Sequence, residues 1–220
     1  MDIEFFLKYY KYFINGTMVT LAISFFGVIF GAIVGVLLSL MKLSNNRIAR
    51  GFSSAYIEVV RGTPLLVQIY LVYYGLPMVL PFDLGRMTLG TLAVLLNSAA
   101  YIAEIIRAGI QSIDMGQMEA ARSLGMTKSM AMRYIIIPQA FKNILPALGN
   151  EFIVLVKESA VLSVIGIHDL MYNADTLRGI TYRPFIPLIY AAIIYFIITF
   201  TLSKILGLVE RRLAASDKSI

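Results

Sequence analysis

Residues 114–125 read Asp114-Met115-Gly116-Gln117-Met118-Glu119-Ala120-Ala121-Arg122-Ser123-Leu124-Gly125, and nine residues later comes Ile135-Ile136-Ile137-Pro138. This is a short polar island between long apolar stretches, so it must form a hydrated loop or a surface helix. Asp114 can accept from the free amides of a helix start, with Gln117 three residues on as its capping-box partner. Met115, Met118, Ala121, Leu124 and Gly125 fall near one helical face, while Gln117, Glu119, Arg122 and Ser123 spread over the rest. Gly125 suits a left-handed stop at the C-terminal end. The segment therefore predicts a short surface helix over about 115–125.

What surrounds the island decides the class. The chain has 220 residues, 59% of them hydrophobic and only 15% charged, with a mean hydropathy of +0.78. A soluble fold of this size has too little interior to hide so much apolar surface. No cysteine is present, so disulfides, thiolate nucleophiles and sulfur metal sites are excluded, and the single His168 excludes a His-rich metal cluster. A loop histidine is the plainer reading of His168. The first twelve residues set lysines among aromatics, without a small-residue cleavage site after a short apolar core, so the first long apolar run is expected to stay as a span. A net charge of +6 reflects lysines and arginines gathered on one side of a bilayer rather than a nucleic-acid partner.

A helix needs about 20 apolar residues to cross the hydrocarbon layer. Five stretches qualify: 17–40, 52–76, 88–110, 144–167 and 187–209. The second carries Glu58, Arg61 and the breaker Gly62-Thr63-Pro64. The third carries Asn97, Ser98, Glu104 and Arg107, and the fourth Glu151, Lys157 and Glu158. Placing the 41–51 loop, the polar island and the C-terminal tail together collects 12 of the 19 Lys and Arg residues on one side. They are Lys42, Arg47, Arg50, Arg107, Arg122, Lys128, Arg133, Lys142, Lys204, Arg211, Arg212 and Lys218. The other side holds 5, namely Lys8, Lys11, Arg86, Arg178 and Arg183, with Arg61 and Lys157 inside spans. The positive-inside tendency then puts the N-terminus outside, and the island and the C-terminus in the cytoplasm. The loops at 76–87 and 168–185 are expected to be external and partly structured, and the second is the better docking surface for an outside partner.

Within the spans, charge is informative because an isolated charge at the bilayer centre costs at least about 2.5–3.5 kcal/mol on insertion scales. Glu58 and Arg61, like Glu104 and Arg107, sit three apart and can form helical ion pairs. Glu151 and Glu158, seven apart, project from nearly the same face of the fourth span, and Lys157 points about 100° away from Glu158. Such a stripe belongs in the bundle interior or a wet cavity. Asn97, Ser98 and Tyr101 are further candidates for that cavity, although Tyr101 alone more often marks packing. Gly27, Gly31 and Gly35 recur every four residues and permit close helix contact, here within the subunit. No G-x4-G-K-[ST] phosphate loop and no catalytic constellation is present in the sequence, so energy must come from a partner or an ion gradient.

The island matches the EAA-x3-G-x9-I-x-L-P signature of permease subunits of ATP-binding-cassette importers, with Ile137 where the pattern has Leu. Over essentially its whole length the chain resembles the polar amino-acid permeases of the histidine, arginine and glutamine import systems. The matching pieces are Asn15-Gly16-Thr17, Arg61-Gly62-Thr63-Pro64-Leu65 and Ala100-Tyr101-Ile102-Ala103-Glu104 with Arg107. The stretch Lys157-Glu158-Ser159-Ala160-Val161 departs from the family's Lys-Asp-Thr-Ser-Leu at four positions, near the transport path, so the resemblance speaks to fold more than to cargo. It implies an all-α membrane protein of the type I importer fold, with five transmembrane helices and a cytoplasmic coupling helix. Glu119, Ala120, Ala121, Gly125 and Pro138 take the coupling positions. The implied partners are two ATPase subunits that bind ATP and magnesium, a second permease copy (identical or closely related) and an external amino-acid-binding protein, all at a prokaryotic inner membrane. No cofactor is implied in this chain. Glu151 and Glu158, with Asn97, Ser98 and Tyr101, are the expected substrate-binding residues. The carboxylates favour arginine, lysine or histidine as cargo, with glutamine as the alternative. A self-sufficient secondary transporter or channel is the competing class, but such proteins often show paired broken helices and this chain has one break, at 62–64.

Overall fold

Asp2 starts the first helix. Its carboxylate accepts from the Phe5 amide at 3.0 Å, and α1 then runs unbroken over Ile3–Leu43, beginning well before the expected span. The computed structural model describes residues 2–215; Lys218 of the charge count lies outside them. Asn46 caps α2 (Arg47–Arg61), accepting from the Ile48 and Ala49 amides. Next come α3 (Leu65–Tyr70), a π-helical turn at Leu71–Gly75, α4 (Leu76–Val79) and α5 (Arg86–Gln111). The polar island forms α6 (Met115–Ser123), followed by α7 (Lys128–Ala131) and a second π-helical turn at Met132–Ile136. α8 (Ile137–Glu158) tightens into a 3-10 segment at Ser159–Ile165, and α9 (Leu170–Thr181) and α10 (Ile186–Ala215) complete the described chain.

The expected five-helix arrangement is present, with two of the five irregular. The second span is not one rod: α2 and the segment beginning at Leu65 meet at 109°. Pro64 has no amide hydrogen and drives Thr63 out of the helical region, which breaks the ladder there. The fourth begins at Ile137 rather than 144 and loses its α-geometry after Glu158. Among the described residues three helices, α1, α5 and α10, are long and apolar enough to cross a membrane alone, and the bent pair makes a fourth. α8 is not among them because Gln139, Lys142, Asn143, Asn150 and Glu151 dilute it; it packs against α5 and α10. Pro138, at the start of α8, follows the π-helical turn at Met132–Ile136. The widened turn accommodates a ring that would clash with the carbonyl four residues back.

The glycine stripe of α1 packs within the subunit, as expected. A Cβ at Gly27 would stand 2.8 Å from Val94 Cγ1, one at Gly31 3.1 Å from Ser98 Cβ, and one at Gly35 2.8 Å from Ile102 Cγ2. Those α5 partners are themselves four apart, so two matched faces bring the helix backbones together. This sets the depth of Ser98 beside α1. Ile23, Ile69, Val94, Leu155, Leu162 and Ile165 form the central core, where α1, α3, α5, α8 and the 3-10 segment meet. At one end, Gly16 lets α1 approach the Asp169 carbonyl, to which an added Cβ would stand 2.8 Å. The segment 168–185, expected as a partly structured external loop, is largely the helix α9. Asp169, outside the spans, caps it by accepting from the Tyr172 amide at 2.8 Å, and burial pushes its carboxyl up to about 6.

Candidate functional site

Gln68 is the hub of the break. Its amide nitrogen donates to the Val60 carbonyl at 2.7 Å, the Thr63 carbonyl at 3.0 Å and the Thr63 hydroxyl oxygen at 2.9 Å. These bonds satisfy carbonyls that the broken ladder leaves open, a requirement for irregular backbone at membrane depth. The remaining oxygen of Gln68 accepts from Asn97 Nδ2 at 3.0 Å, which ties the break to α5. Gln68 did not stand out in the sequence, although an amide inside Leu65–Tyr70, just after a breaker, was a signal available there.

One residue along α5, Ser98 is fully buried and its hydroxyl donates to the Glu151 carboxylate at 3.5 Å. Glu151 is buried on α8 at 8% exposure and makes no ion pair among the described residues. Asn97, also buried, accepts no hydrogen bond at Oδ1 among the described residues. The structure thus brings Asn97, Ser98 and Glu151 to one interior place between α3, α5 and α8. Glu158 and Lys157 lie on the exposed surface of the single chain.

Tyr101 belongs to a second cluster, one turn of α5 further on. Its ring lies under the Arg61 guanidinium, 5.5 Å away. Glu104 is the anchor there: Lys42 Nζ lies 3.2 Å from it, Arg107 Nε donates to it at 2.9 Å, and Arg61 stands at 3.9 Å. The Glu104–Arg107 pair is formed as expected, but the Glu58–Arg61 pair is not. Packing of α2 on α5 sets Arg61 over the Tyr101 ring, where Glu104 draws cations from α1, α2 and α5.

The polar island is a helix with the expected terminator. Gly125 has φ +86°; its amide donates to the Arg122 carbonyl at 3.0 Å, and the Met126 amide donates to the Ala121 carbonyl at 3.1 Å. This pair of closing bonds needs a left-handed residue between them. The capping box is absent. Asp114 accepts from the Gly116 amide at 2.7 Å, and Gln117 instead accepts from Gln139 of α8 at 3.3 Å. Asn143, one turn along α8, donates to Ser112 Oγ at 2.9 Å. Ala121 is buried beneath α6, whereas Glu119, Ala120, Gly125 and Pro138 are exposed. Met115 at 78% and Leu124 at 85% exposure leave an apolar surface uncovered.

Comparison with known proteins follows this geometry. Residues 11–215 match the family described as binding-protein-dependent transport system inner membrane component. The chain is 43% identical, over 93% of its length and 94% of the relative's, to the putative glutamine transport system permease protein GlnP of Rickettsia bellii. It is 44% identical to the arginine transport system permease protein ArtQ of Bacillus subtilis, over 94% of each chain. A solved structure described as an amino acid ABC transporter with histidines superposes with TM-score 0.92 at 54% identity, over 96% of this chain and 99% of that one. An inward-facing MetNI methionine ABC transporter shares the fold, with TM-score 0.74 at 21% identity over 92% of this chain and 96% of that one.

Proposed function

The chain belongs to the family of binding-protein-dependent transport system inner membrane components, and from that premise we propose that it forms the path of an ATP-driven importer for a cationic amino acid. The observation that carries the cargo assignment is Glu151, a buried carboxylate with a single long hydrogen bond and no cation paired with it among the described residues. An arginine, lysine or histidine side chain supplies the missing positive charge in a dry place, where a charge-assisted bond is strongest. Asn97 Oδ1 then accepts from the ammonium end of the ligand, and the link through Gln68 holds that amide against the break. Glu158 adds negative potential on the exposed side. The relatives are named for both glutamine and arginine, so the neutral polar cargo is the outcome the test must separate.

In this reading α6 is the coupling helix. Met115 and Leu124 offer the apolar contact, and Glu119 and Ala120 the rim, to a cytoplasmic ATPase that binds ATP and magnesium. The bonds Gln139–Gln117 and Asn143–Ser112 fasten α6 and its entry turn to α8. Gln139 and Glu151 are twelve residues apart on α8, a rise of about 18 Å. Displacement of α6 by closing ATPases is thereby delivered to the carboxylate that holds the cargo. A second permease copy covers the exposed side of Lys157 and Glu158, and an external binding protein delivers the ligand near α9. The N-terminus faces outward and the C-terminus the cytoplasm.

The test is uptake of labelled arginine and glutamine by the reconstituted complex, comparing wild type with Glu151→Gln. Loss of arginine uptake with glutamine uptake spared supports the cationic site. An unchanged arginine rate in both Glu151→Gln and Glu158→Gln refutes it.

A further inference from the structure

Where α1 ends, the chain forms an amphipathic pocket of about 630 Å³. Its apolar wall is Leu40 and Leu43 of α1, Ile110 near the end of α5, and Ile137 at the start of α8. Its polar rim carries Lys128 and Arg133, and none of the ten lining residues is acidic. Neither cation makes an ion pair among the described residues; Arg133 only stacks over Tyr134 at 5.6 Å. Both are exposed. By contrast, Lys42, Arg61 and Arg107 gather around the single carboxylate of Glu104.

The pocket's place on the molecule identifies its occupant. Ile33, Leu37 and Leu40 form an exposed apolar row along one face of α1, and this row runs into the pocket wall. A helix face of that kind, at spacing four and three, looks onto acyl chains along its length. The cations stand where the spanning helices α1 and α5 stop, at the level of the lipid headgroups. A second crevice, lined by Phe25, Ile29, Leu145, Leu148, Phe152 and Leu206, is purely apolar, so it takes an acyl chain without regard to headgroup. Of these two, the first pairs an apolar wall with cations that make no ion pair among the described residues.

We propose that this pocket is a binding site for an anionic phospholipid, with the phosphate held by Lys128 and Arg133 and an acyl chain lying on Leu40, Leu43 and Ile137. Basic pockets between spanning helices at the membrane boundary bind anionic headgroups by this combination. A zwitterionic lipid places its own cation beside Lys128 and Arg133, and is disfavoured. Ile137, the pocket's residue on α8, and Glu151 are separated along that helix by a rise of about 21 Å, and the site stands independently of the cargo assignment.

The experiment uses the full-length chain, in the complex in which it purifies, in mild detergent. It is equilibrated with equal amounts of phosphatidylglycerol and phosphatidylcholine of identical acyl chains, and retained lipid is read by native mass spectrometry. Wild type is expected to retain phosphatidylglycerol preferentially. Lys128→Ala with Arg133→Ala should weaken that retention roughly ten- to thirty-fold, from two headgroup cations. Arg47→Ala with Arg50→Ala, cations of the neighbouring helix outside the pocket, should leave it unchanged. Excess inorganic phosphate should not displace the lipid. Equal retention of both lipids by wild type, full phosphatidylglycerol retention by the Lys128/Arg133 variant, an equal loss in the Arg47/Arg50 variant, or displacement by phosphate would each overturn the site. None of these readouts involves transport, so they separate this proposal from the one above.

Discussion

Replacing Gly125 isolates one physical effect in the α6 terminator. Nothing lies within 4 Å of a Cβ built at this position, so a side chain there meets open space and the only strain is in the backbone. With φ at +86°, an L-residue is held in a conformation costing roughly 1–2 kcal/mol, and a β-branched one lies at the upper end. Relaxing that strain opens the Gly125–Arg122 and Met126–Ala121 closing bonds. The closed helix end should then lose roughly five- to thirty-fold in relative population in Gly125→Val. Asparagine tolerates the left-handed region, so Gly125→Asn should stay close to wild type, and Gly125→Ala should fall between. The assay is ATP hydrolysis by the reconstituted complex, with and without liganded binding protein, together with ATPase retention during purification. Stimulation and retention should fall in the order Gly, Asn, Ala, Val. Full stimulation in Gly125→Val would refute the docking role of α6, and equal damage from Asn and Val would refute the backbone explanation.

Gln68→Leu keeps the bulk but leaves the Val60 and Thr63 carbonyls open at the break, so it should destabilise the chain by roughly 1–3 kcal/mol; thermal unfolding in detergent with an unchanged midpoint would contradict the hub. The charge split predicts that a tag after Ile220 is cytoplasmic and one before Met1 external, both ends lying outside the described residues; protease removal of the C-terminal tag from intact cells would reverse the orientation. Asp169 has an ordinary carboxyl value of 3.8, raised to about 6 in the fold, so the folded chain binds the proton more tightly. Its contribution is fully present below the ordinary value and is lost as pH rises through about 6. Asp169→Asn should flatten that part of the stability profile, and an unchanged profile would show that Asp169 does not set it.

The α6 helix was legible because its signals are local. An aspartate, a set of polar residues at helical spacing and a glycine where the turn must go left-handed act within one stretch of chain. The same holds for the apolar spans and for the glycine repeat of α1, which the α5 residues Val94, Ser98 and Ile102 answer at matching spacing. Gln68 escaped notice because its partners Val60, Thr63 and Asn97 become neighbours only once the chain has turned at Pro64 and packed on α5. The paired carboxylates were half legible. Seven-residue spacing puts Glu151 and Glu158 on one face, but only the folded chain buries the first, beside Ser98 of α5, and leaves the second exposed.

Arg61 shows the boundary most clearly. By local rules one acid stood within its reach, Glu58 three residues back on its own helix, whereas Glu104 comes from α5. Sequence by itself determined the membrane-spanning helical class, the break at 62–64, the surface helix and its glycine stop, since each follows from hydropathy or backbone preference over a few turns. Tertiary structure alone chose Glu104 for Arg61, Gln68 for Asn97 and α8 as the element bridging α6 to Glu151. Those choices depend on which side chains a 109° bend and a glycine-lined helix contact bring within hydrogen-bonding distance, and no property of either partner's own segment encodes that distance.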